Sequence, residues 1–252
     1  MRVECHECQP WQASLLGRPV STLRGEHPHQ GETPPGVMRV AVLSSGGKDS
    51  AAAWWWAMCK GWSVDALVTV IITGEDSPMF QLPSTHLVER QATAANIRWI
   101  EVRTTGEPPQ DIAALEEALR PLEIDGFVSG ALRSDYQKSR LERMAERLGI
   151  RSWTPLWHQS GHEHLRGMID HGFEIMITGV SADGLTEKWL GHVLTPNSFD
   201  ELVTLAKTHR FHVEGEGGEY ETLVIGGPHQ NGRLTVAGTA HWDGVRGHYE
   251  IH

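Results

Sequence analysis

Residues 44–50 read Ser44-Ser45-Gly46-Gly47-Lys48-Asp49-Ser50, a glycine-rich turn between an apolar run ending at Leu43 and a helical stretch beginning near Asp49. A strand that turns into a helix in this way presents backbone N–H groups at the helix N-terminus, where the dipole also favours negative charge. Two consecutive glycines permit positive φ and close approach, the Ser45 and Ser50 hydroxyls can donate to phosphate oxygens, and Lys48 adds a mobile charge. Such a turn suits pyrophosphate. It is not a Walker A loop, because Asp49 follows Gly47-Lys48 where Ser or Thr is needed and Leu43 stands at the upstream glycine position. The bland alternative is a surface turn that binds nothing.

Two further segments carry candidate chemistry. Ser129-Gly130-Ala131-Leu132-Arg133-Ser134-Asp135-Tyr136-Gln137 leaves a short apolar run and enters a helix that also carries Arg140. Arg133, Gln137 and Arg140 fall at i, i+4 and i+7 and share one helical face, either for substrate or as a solvated face stitched to Asp135 and Glu142. Gly215-Glu216-Gly217-Gly218-Glu219-Tyr220-Glu221-Thr222 sets three carboxylates around a flexible glycine pair, as an acidic turn or as a cation site. Glu219 and Glu221 point to one face if the strand there begins a residue early.

Other features carry less. Cys5 and Cys8 form a lone CxxC near His6, His27 and His29, half of a zinc or redox site, with no second CxxC to complete it. The 15 histidines show no ligand spacing such as HExxH. Trp54, Trp55 and Trp56 read as core packing in preference to adenine stacking, because a helix set against a sheet must bury a broad face.

These residues need elements to hold them, and 252 residues suffice for one good core with a smaller appended subdomain. Acidic residues outnumber basic ones 32 to 22, a net charge of −10 that argues against wrapping nucleic acid. The longest near-apolar run, Ala66 to Ile72, is far short of the roughly 20 residues that cross a bilayer. The N-terminus lacks the apolar core of a secretory signal, so a cytoplasmic, reducing location is expected. Residues 1–37 hold five of the 13 prolines and little periodicity, and read as a poorly ordered extension. Met38-Arg39-Val40 repeats the first three residues directly before a strand, which suggests Met38 as the natural initiator.

Beyond Met38, strands are expected at Val40–Leu43, Ala66–Thr73, Arg98–Val102, Phe127–Ser129 and Arg151–Trp153. Helices are expected at Asp49–Lys60, Thr85–Asn96, Gln110–Leu119 and Asp135–Leu148, with Gly61 and Gly149 as stops. This alternation implies an α/β fold, a doubly wound and mostly parallel sheet over residues 38–155, with ligands at its C-terminal edge. Residues 156–252 read as a smaller α+β subdomain. It has a helix near His162–His171, a strand at Phe173–Thr178, a helix from Phe199 capped by Ser198, and strands at Tyr220–Ile225, Leu234–Val236 and Tyr249–Ile251.

Ser45-Gly46-Gly47-Lys48-Asp49-Ser50 matches the SGGxDS signature of the PP-loop ATP pyrophosphatases, a Rossmann-like group that cleaves ATP between the α and β phosphates. With the two later segments, and with Thr154-Pro155-Leu156-Trp157, Gly184-Leu185 and Trp189-Leu190-Gly191, residues 38–227 resemble the diphthine–ammonia ligases. That resemblance implies ATP-dependent amidation, by free ammonium, of the carboxylate of diphthine, a trimethylated modified histidine on translation elongation factor 2. It implies that Ser45, Gly46, Gly47, Lys48 and Ser50 grip pyrophosphate, that Ser129 and Gly130 line the nucleotide edge, and that Asp49 caps the helix or holds Mg2+. It assigns Arg133, Ser134, Tyr136, Gln137, Arg140, Glu216, Gly218, Glu219 and Glu221 to the acceptor, and Lys48, Asp49, Glu219 and Glu221 to the chemistry. No membrane and no nucleic acid is implied as a partner, and a homodimer stays open. A PP-loop enzyme acting on transfer RNA, or an adenine-nucleotide sensor without turnover, are the alternatives. Past Pro228 no recognisable feature appears.

Overall fold

A computed structural model describes residues 36–73 and 87–252. The Cys5/Cys8 pair with its neighbouring histidines, and the start of the helix expected at Thr85, lie outside those residues. The first half alternates strand and helix: β1 (Arg39–Leu43), α1 (Lys48–Cys59), β2 (Ser63–Ile72), α2 (Val88–Ala95), β3 (Arg98–Thr104), α3 (Gln110–Leu119), β4 (Gly126–Ser129), α4 (Asp135–Leu148) and β5 (Arg151–Trp153). The five strands form one parallel sheet in the order β3-β2-β1-β4-β5. The chain reverses direction across the sheet between β1 and β4. That switch point opens a crevice at their C-terminal ends, where Ser44–Gly47 and Ser129–Gly130 emerge.

The period of two along the strands sorts the core into two layers. Val40, Val42 and Val128 pack with α1 and α2 on one face, while Ala41, Val68 and Phe127 pack with α3 and α4 on the other. The second half comprises α5 (Gly161–Asp170), β6 (Glu174–Val180), a 3-10 turn (Glu187–Trp189), α6 (Pro196–His209), β7 (Tyr220–Gly226), β8 (Gly238–Trp242) and β9 (Gly247–Ile251). Its strands form an antiparallel sheet in the order β7-β6-β9-β8.

Helix α1 lies between the two sheets, which explains its run Ala51-Ala52-Ala53-Trp54-Trp55-Trp56-Ala57: a helix covered on every side is apolar all round. All seven are buried. Trp55 meets the Phe173 ring edge-on at 5.5 Å, and Trp56 meets Trp62 at 5.0 Å. The tryptophans are therefore core, as their position on a sandwiched helix predicts.

Two local expectations need correction. Helix α6 is capped by Thr195, not Ser198, and begins at Pro196. Ser198 is the third helical residue, its hydroxyl accepting from the Thr195 N–H in a reciprocal box. Proline at the first helical position is favoured because it lacks an N–H that would go unpaired there. Residues Leu234–Val236 form no strand, although the Leu234 N–H donates to the Ile225 carbonyl and its side chain is buried. The strand lies a few residues later, at β8, and pairs with β9 as a hairpin closed by Asp243, whose Oδ1 accepts from the N–H groups of Val245 and Arg246.

Replacing Trp55 by Ala is expected to lower stability by about 3–5 kcal/mol, the usual cost of emptying a buried aromatic site. A urea titration would show a lower midpoint with unchanged slope; an unchanged midpoint would mean that α1 is not the common core.

Candidate active site

The turn after β1 is shaped by contacts from both sheets. Gly46 has φ +84°, a left-handed conformation suited to glycine, and its carbonyl accepts from the Val224 N–H at 2.9 Å and from Gln91 Nε2 at 3.0 Å. Gln91 Nε2 also donates to the Val224 carbonyl at 2.7 Å, so one buried amide on α2 ties the turn to β7. The Lys48 N–H, first in α1, donates to Thr222 Oγ1 at 3.2 Å. Gly130 closes the crevice from β4, where a Cβ would stand 2.5 Å from the Asp49 carbonyl carbon and 2.7 Å from the Ser50 nitrogen. No other residue fits there.

Within the turn the hydroxyls divide. Ser50 is buried and its Oγ donates to the Gly47 carbonyl at 3.0 Å, while Ser44 Oγ accepts from the Gly46 N–H at 3.2 Å. Both brace the loop. Ser45, half-buried, stands at its tip. Ser129 is buried at the end of β4 beside it, and its Oγ has no partner among the described residues.

Lys48 and Asp49 form the charged centre. Lys48 Nζ lies 2.7 Å from Asp49 Oδ2, and Asp49 Oδ1 lies 3.0 Å from Nε2 of the fully buried His164 on α5. Burial pushes the Asp49 carboxyl up, but the Lys48 ammonium and the His164 ring outweigh it and bring it to about 2. Burial likewise draws Lys48 down, yet Asp49, Glu216 and Glu221 outweigh that and hold it above its ordinary value. Lys48 therefore stays a cation and Asp49 an anion. Both Asp49 oxygens are engaged, and among the described residues no three His, Cys, Asp or Glu are grouped to hold a metal. A magnesium ion would find one carboxylate there, already shared by Lys48 and His164, so the donor set does not fit one by itself.

The acidic segment approaches the same centre from β7. Desolvation and the Asp49 charge push the Glu216 carboxyl up, against the opposing pull of Lys48, although Glu216 opens to solvent on its outer side. Tyr220 is buried with Lys48 Nζ 6.0 Å from its ring centre, and desolvation raises its hydroxyl well above the ordinary value; the hydroxyl donates to the Val213 carbonyl at 2.6 Å. Glu219 is turned back into its own loop, accepting from the His212 N–H at 2.9 Å and the Gly217 N–H at 2.7 Å. Gly218, exposed in that loop, receives the Ser181 hydroxyl on its carbonyl at 2.5 Å. Glu221 alone of the pair faces outward, into a cleft of about 800 Å³ against the second sheet.

The face expected from Arg133, Gln137 and Arg140 does not form, because α4 begins at Asp135 with Ser134 as its cap and Arg133 precedes the helix. Arg133 reaches Glu214 at 3.4 Å, toward the site. Arg140 turns instead to the buried Asp111 of α3 at 3.0 Å and lies over the exposed Tyr136 ring. Gln137 is half-buried, its N–H donating to Ser134 Oγ.

Two residues escaped the sequence reading. Glu214 is buried, with its carboxyl carbon 2.2 Å from where a Cβ on Gly161 would stand; glycine at the start of α5 makes room for a carboxylate where the helix dipole favours it. It lies one residue before the acidic segment, so a wider window would have caught it. His164 has no such signal, because only the docking of α5 brings it to Asp49.

The crevice thus holds a glycine-rich turn at a helix N-terminus, a Lys–Asp–His chain and an acid-lined cleft. Matched against known families, residues 38–152 correspond to the diphthamide synthase N-terminal domain and residues 160–252 to the diphthamide synthase C-terminal domain. The chain belongs to the diphthamide synthase family. The second match runs to the last residue, past Pro228, where no feature was recognised from the sequence. The chain is similar to the diphthine–ammonia ligase of Homo sapiens, at 32% identity over 214 residues, 76% of this chain and 80% of that protein. It is also similar to that of Danio rerio, at 31% over 213 residues, covering 76% and 83%. With that of Schizosaccharomyces pombe it shares 40% over 106 residues, 42% of this chain and 17% of the longer protein. As a member of the diphthamide synthase family, this chain is a ligase that forms a carbon–nitrogen bond.

Asp49 is held below its unfolded value, so its contribution to stability is complete above about pH 4 and is lost as pH falls toward 2. Asp49→Asn should flatten the stability profile across that window, read as urea midpoints at pH 2 to 5. A profile as steep as the unaltered protein's would show that the Lys48–Asp49–His164 chain is not formed.

Proposed function

We propose that the chain amidates the carboxylate of diphthine on translation elongation factor 2, using ATP and ammonium and releasing AMP, pyrophosphate and diphthamide, in the cytoplasm. The observation that carries this is the contact between the two halves of the site. The phosphate turn at the switch point is hydrogen-bonded directly to the acidic strand β7, so an activated acyl group and a cation-favouring surface share one crevice.

A carboxylate is a poor electrophile. In the proposed reaction its oxygen attacks the α-phosphorus of ATP, the bond to the β-phosphate oxygen breaks, and pyrophosphate leaves onto the Gly46-Gly47 turn. Donors fixed in place beforehand stabilise that departing charge without reorganising. Ser45 and the Lys48 ammonium offer charge-assisted and neutral hydrogen bonds, and Ser129 Oγ and Gly130 edge the nucleotide. Ammonium gives up one proton, the resulting ammonia attacks the acyl carbon, AMP leaves with the electron pair, and the nitrogen gives up a second proton. Glu216, whose carboxyl desolvation and the Asp49 charge push up, and Glu221 gather ammonium and take those protons in this reading. Arg133 supports the acceptor side through Glu214. Glu219 serves the same end indirectly, by fixing the loop that carries Glu216 and Gly218.

A transfer-RNA-modifying reading would need a catalytic cysteine. Cys59, the cysteine among the described residues, ends α1 about 16 Å from the turn at 1.5 Å per residue.

Ser45→Ala and Lys48→Ala are each expected to slow pyrophosphate release by roughly tenfold to a hundredfold, the equivalent of about 1.5–3 kcal/mol for hydrogen bonds to charged groups. The whole reaction is checked by incubating the chain with ATP, ammonium and elongation factor 2 carrying diphthine, and weighing the product for the amide. Unchanged release in both variants removes the phosphate assignment; absence of amide removes the substrate.

A further inference from the structure

Consecutive residues of a helix point about 100° apart and do not ordinarily face each other. Lys48 and Asp49 nevertheless touch, Nζ to Oδ2 at 2.7 Å, in the first turn of α1. A carboxylate in a first turn usually leans toward the free N–H groups of its own helix. Asp49 turns away from them. Its hydrogen-bond partners are Lys48 Nζ on Oδ2 and His164 Nε2 on Oδ1. A group outside α1 therefore fixes the direction of the carboxylate, and His164 is the one that reaches it.

Histidine is a costly choice for that place. The ring is wholly buried, and Leu165 and Met168 beside it on α5 belong to the hydrophobic core. Its Nδ1 has no partner among the described residues. A buried polar atom left unpaired costs free energy that a leucine would avoid. What the ring gains in return is its bond to Asp49. Lys48 keeps Asp49 an anion, so Oδ1 accepts and the ring proton sits on Nε2.

The first turn of α5 is built to bring that proton there. Gly161 and His164 fall at i and i+3, on one helical face. Over Gly161 lies the Glu214 carboxyl, whose carbon is 2.2 Å from where a Cβ would stand, so glycine lets the turn approach closely while His164 reaches Asp49. Ser160 caps the turn, its Oγ accepting from the Glu163 N–H at 3.4 Å and its carbonyl from the His164 N–H at 2.9 Å.

We propose that His164 is a positioning residue for the phosphate end of the site: by donating its Nε2–H to Asp49 Oδ1, it turns the carboxylate so that Oδ2 holds the Lys48 ammonium in a fixed direction. His164 itself does not meet the nucleotide. This role rests on the reaction proposed above in one respect, that Lys48 meets pyrophosphate.

The test separates the two ring nitrogens. A glutamine amide nitrogen stands about as far along the side chain as Nε2, an asparagine nitrogen about as far as Nδ1, and leucine offers no donor. The full chain is titrated with inorganic pyrophosphate by calorimetry, with Lys48→Ala for comparison and urea midpoints to show that each variant folds. His164→Asn and His164→Leu should each weaken pyrophosphate binding by about tenfold, the scale of one hydrogen bond to a charged group, while His164→Gln stays within about threefold. Added to Lys48→Ala, His164→Asn should cost less than about twofold more, because the ring acts through that ammonium. If His164→Leu does not fold, asparagine against glutamine decides. Leucine matching glutamine, asparagine restoring binding where glutamine fails, or full additivity with Lys48→Ala overturns the proposal. If Lys48→Ala is impaired and no His164 variant is, the phosphate reading of Lys48 stands and the role of His164 falls; if Lys48→Ala binds normally, both fall.

Discussion

The Gly46 carbonyl is where the two sheets of this protein meet. It accepts one hydrogen bond from the backbone of β7 and one from the buried Gln91 amide, and Gln91 returns a second bond to β7. A carbonyl with both lone pairs engaged by buried donors is fixed in direction, and the N–H groups on the far side of its peptide planes are fixed with it. The turn after β1 is therefore shaped by the second half of the chain as much as by the strand and helix that carry it. Leu223, next to Val224 on β7, adds packing, standing 3.3 Å from where a Cβ on Gly46 would be.

The Lys48–Asp49–His164 chain depends on that anchoring. Buried ion pairs gain little net stability because desolvation offsets the attraction, but breaking one leaves an uncompensated charge at large cost. Here the three groups come from the first turn of α1 and from α5, so the pair also registers the position of one half on the other. Held in this way, Lys48 keeps its proton and its direction before substrate arrives, which is the condition under which a charge stabilises a departing anion most.

Much of this was legible in the chain. The strand-turn-helix at Leu43–Ser50 and the strands and helices through Trp153 follow from local pattern and glycine placement, because in a doubly wound sheet each buried strand and each covering helix declares its own period. Gly149, predicted as a stop, is the left-handed cap of α4. What was not legible depends on distant contacts. Glu219 and Glu221 look equivalent by spacing, yet one folds onto the N–H groups of His212 and Gly217 while the other crosses Gly179, and only the β6–β7 register decides which. Arg133 and Arg140 seem to share a face until Ser134 places the helix start between them. Thr195-Pro196 is as readable a cap as Ser198, since proline favours the first helical position.

The β8–β9 hairpin is fastened to the rest of the sheet by two paired residues, Gly179 with His248 and Val180 with Gly247, and otherwise by Trp242, Tyr249 and Ala240 resting on the core. Such a seam is a natural boundary between cooperative folding units, which open at less than the global free energy. The hairpin amides would then exchange their hydrogens well before those of β1 or β7. One wall of the cleft is thus held by a short seam, while the floor that carries Glu221 is paired along most of β6. That wall can yield without disturbing the turn after β1.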